Sequence, residues 1–304
     1  MHAIRLFSIL LFNLLVWNAG AVLAETSNDA INGSKFTLDT TLDTKQFLDK
    51  GLPQPFRARY KLYYKWMRLG YGEYRFGLAD ENAPELSPRD MPVQLYRFAF
   101  DSHMRFILFS DTRSIYSDFA FHKGLLRPVK YHQERKGTGD DYTERLKVNW
   151  PNQYADAHFR KKYYHLELDS TEPAIEGQQA INSYESIYDG LGVQFQFYLN
   201  VREDATKERY MFAIAEPWGL IERFFLFDSL AKIELELNGE DQELDCVVYV
   251  VERKQKKHRT LMYFAKQLDY LPVQLVHFTN GKKQFSAVIN EFESLAKTQE
   301  AKQE

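Results

Sequence analysis

The chain has 304 residues, 44% of them hydrophobic and 15% aromatic, with a formal net charge of −3 at pH 7. That balance gives no footprint for nucleic acid, which calls for a strongly basic stripe or patch. Cys246 is the only cysteine, so no intrachain disulfide can form and stability must come from apolar burial.

Residues 1–24 read as a cleavable signal peptide. Arg5 gives a weakly basic start, Leu6 to Trp17 is almost wholly apolar, and Val22-Leu23-Ala24 places small residues at the two positions a signal peptidase reads. The apolar run is short for a membrane span, which needs about 20 residues. Cleavage after Ala24 leaves no stable transmembrane anchor and, in a Gram-negative host, a periplasmic protein of net charge −4. Residues 25–55 form a polar leader in which Leu42 to Gly51 suits a short helix, ended by Gly51 with Pro53 just beyond.

From residue 56 to 293 the pattern is that of one antiparallel β domain. In Phe56 to Leu78, Ala58, Tyr60, Leu62, Tyr64 and Trp66 alternate with charged residues. After a bend at Met67-Arg68, Gly70, Gly72, Tyr74, Phe76 and Leu78 resume the same two-residue period. Asp80 to Pro92 holds three prolines and several acids and reads as a surface loop. Tyr96, Phe98 and Phe100 alternate next. Met104 to Phe109 is apolar apart from Arg105 and fits either a bulged strand or a short helix. Arg113 to Phe121 alternates through Ile115, Ser117 and Phe119. Gly124 to Trp150 then folds back on a hairpin turn at Lys136 to Asp140, with Tyr142, Glu144, Leu146, Val148 and Trp150 on one face. A short strand pair is expected within Pro151 to Leu168, and a loop over Asp169 to Gln179.

Ser183 to Arg202 fits two periods. Leu191, Phe195, Tyr198, Leu199 and Arg202 make a helical stripe, whereas Val193, Phe195, Phe197, Leu199 and Val201 make a strand; capping by Ser183, Ser186 or Asp189 tilts the reading to helix. Strands follow over Lys207 to Glu216 and Gly219 to Phe227 about a turn at Pro217-Trp218. Ile233, Leu235 and Leu237 alternate up to Asn238-Gly239. Leu244 to Arg253 and Arg259 to Ala265 flank a basic turn, and Leu271 to Thr279 and Gln284 to Phe292 flank Asn280-Gly281, the strongest hairpin signal in the chain. Residues 294–304 are a polar tail. Leu126-Arg127-Pro128-Val129 and Tyr270-Leu271-Pro272-Val273 open two hairpins in the same way, each with a proline among a strand's first residues.

The fold class expected is therefore mainly β: a large curved antiparallel sheet, a half-barrel or open barrel, with one or two helices. The order of these features resembles a family. A signal peptide precedes Leu69-Gly70-Tyr71-Gly72, then Gly124, Leu125 and Pro128, a helix-like segment, and a closing hairpin at Tyr270 to Val273. Over roughly Phe56 to Phe292 this is similar to the bacterial periplasmic domain of unknown function 3108. The resemblance implies an exported antiparallel β protein with no assigned activity and no catalytic residues. Its shape would be like that of the Lol-type lipoprotein carriers, in which a curved open sheet wraps an apolar groove closed by helices.

Chemistry is sparse. There is no Gly-x-Ser-x-Gly elbow or His-Glu-x-x-His, and the seven histidines after residue 24 show no metal-ligand spacing, so no catalytic residue, metal or cofactor is assigned. Cys246 lies in a strand-like apolar run and reads as an inert buried thiol. Two features stay open as sites. Tyr60, Tyr64, Trp66, Tyr74 and Phe76 could line a groove for a lipid-like ligand or simply be core. Arg253, Lys254, Lys256, Lys257 and Arg259 form a basic hairpin tip, either a solvated turn or a contact for anionic headgroups or an acidic envelope partner. The function read is a non-enzymatic binding or carrier protein for an amphiphile. The alternatives are an interaction scaffold in envelope assembly or, third, an envelope-polymer hydrolase.

Overall fold

The computed structural model describes residues 51–83, 93–106, 109–122, 125–150, 154–159, 162–167, 187–216, 219–252 and 258–295. Among them lie fifteen strands and one α-helix. The first eight strands are β1 Phe56–Tyr64, β2 Met67–Ala83, β3 Val93–Phe106, β4 Phe109–His122, β5 Leu125–Gly137, β6 Tyr142–Asn149, β7 Tyr154–Phe159 and β8 Lys162–Glu167. The short β9 Ile187–Tyr188 and the helix α1 Gly192–Glu203 follow. The chain then continues through β10 Arg209–Glu216, β11 Gly219–Leu237, β12 Glu240–Glu252, β13 His258–Ala265, β14 Leu271–Thr279 and β15 Lys282–Ser294.

All fifteen strands belong to one sheet, ordered β8 to β1 and then β15 down to β9, and it does not close into a barrel. Every pairing is antiparallel except β9 on β10. The expected class, an open antiparallel sheet, is thus the observed one. Its centre is the β1–β15 pair, which joins the first described strand to the last; from there one meander of hairpins runs outward on each side. Hairpin connections explain this topology, because an antiparallel neighbour needs only a few turn residues. Asn238 and Gly239, and again Asn280 and Gly281, all take positive φ. That is the requirement of a type I′ turn, and Asn-Gly meets it at low cost.

Several boundaries differ from expectation. The turn between β1 and β2 falls at Lys65-Trp66, with Lys65 at φ 55°, and not at Met67-Arg68. A register shift between Leu62 and Tyr63 takes up the offset. β2 continues to Ala83, into the stretch expected to be a loop; 84–92 lie outside the described residues. Of Met104 to Phe109, residues 107–108 lie outside the described residues. β3 ends at Phe106 and β4 begins at Phe109, so its apolar residues flank a hairpin reversal. β11 is continuous through Ser229, where a bulge separates two segments that the sequence showed as distinct. The expected helix at Leu42 to Gly51, the loop at Asp169 to Gln179 and the 294–304 tail lie outside the described residues, apart from Gly51, Ser294 and Leu295.

The two proline-opened hairpins are alike in structure. Pro128 pairs with Phe119 and Pro272 with Phe264, and in each case the next valine is skipped by a register shift. A bulge tolerates a residue without an N–H because the ladder is already broken there. Each proline carbonyl then accepts a side-chain hydrogen bond, from Trp150 Nε1 at 2.7 Å and from the Tyr60 hydroxyl at 2.5 Å.

The core forms where the inner face of the sheet wraps α1. The residues Val193, Phe195, Phe197, Leu199 and Val201 are all buried. At 3.6 residues per turn, Val193, Phe197 and Val201 point to one side, and Phe195 and Leu199 to the other. Phe195 packs on Phe76, Phe98 and Phe119 of β2, β3 and β4, with ring centroids 4.5, 4.8 and 5.5 Å apart. Phe197 packs on Phe225, Tyr249 and Phe264 of β11, β12 and β13, at 4.0, 5.1 and 5.1 Å. One helix therefore holds both arms of the sheet together. At Gly70 the backbone of β3 comes so close that a Cβ would sit 2.0 Å from the His103 carbonyl oxygen. This accounts for a glycine inside a strand as close backbone approach.

Candidate functional site

Alternation along β1 and β2 puts Tyr60, Tyr74 and Phe76 on the inner face, and all three are buried. Tyr60 and Tyr74 meet edge to face at 5.5 Å. Burial raises the pKa of both hydroxyls, and for Tyr60 the neighbouring Tyr74 and Tyr198 add to the rise. Each hydroxyl keeps a partner, Tyr60 on the Pro272 carbonyl and Tyr74 on Gln194 Oε1 of α1 at 3.0 Å. Phe76 lies directly under Phe195. Tyr64 is half-buried against Phe285 at 5.0 Å. Trp66 is elsewhere: it occupies the β1–β2 turn and is 82% exposed. Of the five residues expected to share one aromatic face, the structure brings together Tyr60, Tyr74 and Phe76, sets Tyr64 at the margin and removes Trp66. The alternation breaks at Lys65, whose positive φ ends the strand.

The inner aromatic face of the sheet packs against α1. Polar contacts anchor the helix at both ends. Asp189, just before α1, accepts from the Leu191 and Gly192 N–H groups at 2.9 and 2.7 Å through Oδ1, and from the Ser117 hydroxyl at 2.5 Å through Oδ2. The Leu126 N–H donates to Gln196 Oε1 at 2.8 Å. At the far end Arg202 pairs with Asp269 at 2.6 Å, and the Tyr210 hydroxyl donates to the Asn200 carbonyl at 2.9 Å.

Asp189 is 1% exposed, and desolvation pushes its pKa up to about 6 against the lowering effect of those hydrogen bonds. Because the folded value lies above the unfolded one, this group adds stability below about pH 4, and that contribution is lost as pH rises through 6. Comparing the chain with Asp189→Asn by urea unfolding should therefore show wild type losing about 3 kcal/mol relative to the variant between pH 4 and pH 7. A difference independent of pH would mean that the carboxyl is not desolvated as placed.

A second buried polar group lies on the same inner face at the open ends of β4, β5 and β6. Asp111 is fully buried between two arginines. Arg113 Nε reaches Oδ1 and Arg135 Nε reaches Oδ2, both at 2.7 Å. Arg135 also donates to the Asp140 and Thr138 carbonyls at 2.5 and 3.2 Å. Gln133 bridges the hydroxyls of Tyr131 and Tyr142, and Glu144 is buried nearby. Sequence reasoning did not single these out as a group. The available signal was a charge in phase with an apolar face, Arg113 with Ile115 and Glu144 with Leu146.

Arg259, the last of the five basic-tip residues, is 46% exposed at its side chain and pairs with Asp228. Arg253, Lys254, Lys256 and Lys257 lie outside the described residues. Cys246 is buried at 3% exposure, and desolvation raises its thiol pKa to about 12, which suits a packing role. Among the described residues no three His, Cys, Asp or Glu side chains gather as a metal site, and no helix is long and apolar enough to cross a membrane. A comparison with protein-family models finds no match, and a search of curated proteins finds no match either.

Proposed function

We propose that the chain is an exported, periplasmic, non-enzymatic carrier or binding protein for a lipid-like amphiphile, and that α1 occupies its groove when no ligand is bound. The observation that carries this reading is an inner aromatic face on a sheet that stays open, covered by one helix. A face of this size, lined by phenyl rings with tyrosine hydroxyls at intervals, has the composition of an amphiphile site once its plug moves. The residues that would contact ligand are Tyr60, Tyr74 and Phe76, with Tyr64 at the margin. The resemblance to domain of unknown function 3108, and to the Lol-type carriers in shape, belongs to this proposal and points the same way.

The experiment is recovery of the exported protein under native conditions, with bound molecules extracted for mass spectrometry. Titration with the apolar fluorophore N-phenyl-1-naphthylamine follows. The carrier reading expects a recurrent apolar molecule or saturable one-to-one probe binding that an added lysophospholipid displaces. Repeatedly empty protein that also ignores the probe would overturn it. A second reading, an interaction scaffold, draws on β8, which stands at the end of the sheet order with an unpaired edge among the described residues. In-cell crosslinking to a single envelope protein would favour it.

A further inference from the structure

The outer face of β5 to β8 carries a cationic surface that the groove does not use. Register places Tyr116, His132, Arg145, His158 and Tyr163 in one row across β4 to β8. The next row is Asp118, Lys130, Lys147, Asp156 and His165. The acids here are occupied. Arg97 clamps Asp118 at 2.5 and 2.8 Å, His165 bonds Asp156 at 2.8 Å, and Lys136 holds the neighbouring Glu134 at 2.9 Å. Arg145 and Lys147 are exposed and make no ion pair among the described residues. Arg127 is exposed nearby, over the Trp150 ring at 5.7 Å. The field is strong enough to act on His132: desolvation first, then Arg145, Lys130 and Arg97 lower its pKa, with only Glu134 opposing. In a chain of net charge −3 this is a local inversion of sign.

The rim of the patch is aromatic. Tyr163 is 82% exposed and stacks on His158 at 4.4 Å. Amphipathic rings beside exposed Lys and Arg are the composition of a membrane-interface surface. Neighbouring point charges from adjacent strands, Arg127 and Lys130 on β5 with Arg145 and Lys147 on β6, suit several headgroups better than a single pocketed ligand.

We infer that the outer face of β5 to β8, centred on Arg145 and Lys147, docks on an anionic phospholipid membrane surface. The inference stands apart from the carrier reading, since it concerns the opposite face of the sheet.

The test is co-sedimentation of the chain lacking residues 1–24 with phosphatidylcholine vesicles, made with and without phosphatidylglycerol, at low and high salt. Binding should require phosphatidylglycerol and weaken with salt. Each cation near an anionic leaflet contributes about fivefold, so Arg145→Gln with Lys147→Gln should weaken binding roughly thirtyfold, and the double Glu variant further. Lys282→Glu with Lys283→Glu, at the exposed β14–β15 turn, should change little, and circular dichroism checks that all variants fold. Equal binding to neutral vesicles, no binding at all, or an equal loss in the Lys282/Lys283 variant would overturn the inference. So would salt-sensitive self-association in the ultracentrifuge that Arg145→Glu with Lys147→Glu abolishes while vesicle binding is absent; that result would assign the face to a second copy of the chain.

Discussion

Replacing Phe197 with alanine should lower stability by about 3–5 kcal/mol and the melting temperature by roughly 10 °C. The ring is fully buried, 4.0 Å from Phe225 and about 5 Å from Tyr249 and Phe264. Its loss leaves a cavity between three strands that are themselves fixed by the ladder, so collapse into the space is limited. The effect should exceed that of any single ring on the sheet margin, because Phe197 is the main contact of α1 with the β10–β13 arm. Met211→Ala, at a side chain 47% exposed on β10, serves as the contrast and should stay within about 0.5 kcal/mol. Urea unfolding of the two variants checks both values. If Phe197→Ala costs less than about 1 kcal/mol, the helix does not hold the arms together.

Asp111→Ala is the second large effect expected, at about 3–5 kcal/mol. Asp111, Arg113 and Arg135 are exposed by 0, 4 and 5%, so removing the carboxylate leaves two buried guanidinium groups with their shared anion gone. Breaking a buried network by deleting one member costs far more than the network contributes over apolar residues of the same shape. The loss should be nearly independent of salt, because a pair away from solvent is poorly screened. Denaturant midpoints at low and high salt measure both features. A small or strongly salt-dependent loss would place Asp111 in water.

Much of this architecture is legible in the residues. The two-residue period of β1 to β6 and β12 to β15 shows because one face of each strand is buried and the other wet, and Asn280-Gly281 fixes its hairpin through backbone chemistry alone. Strand limits are less legible where burial does not change at the boundary. Phe106 to Phe109 is an unbroken apolar sequence across a strand boundary, and Met104 and Phe109 on either side of it both face the core. Lys65-Trp66 turns without Gly, Asn or Pro, the usual signals of a turn. Most instructive is 193–201, where strand and helix patterns coincide. An enclosed helix buries two opposite faces, and residues two apart fall on opposite faces, so full burial imitates alternation. The same enclosure decides how the aromatic face reads: three of its five expected members are together, but against a helix that only the fold could bring there. The Asp111 cluster was invisible as a group because β4 and β5 must pair before Arg135 reaches Asp111.

The central claim is that α1 is a displaceable occupant of the groove. Hydrogen exchange of residues 192–203, with and without added lysophosphatidylcholine, tests it most directly. The carrier reading predicts that α1 amides open at a lower free energy than those of β12 and β13, and that the amphiphile speeds their exchange while leaving both strands protected. Exchange of α1 only through global unfolding, unchanged by the amphiphile, would contradict it and leave the aromatic face as core.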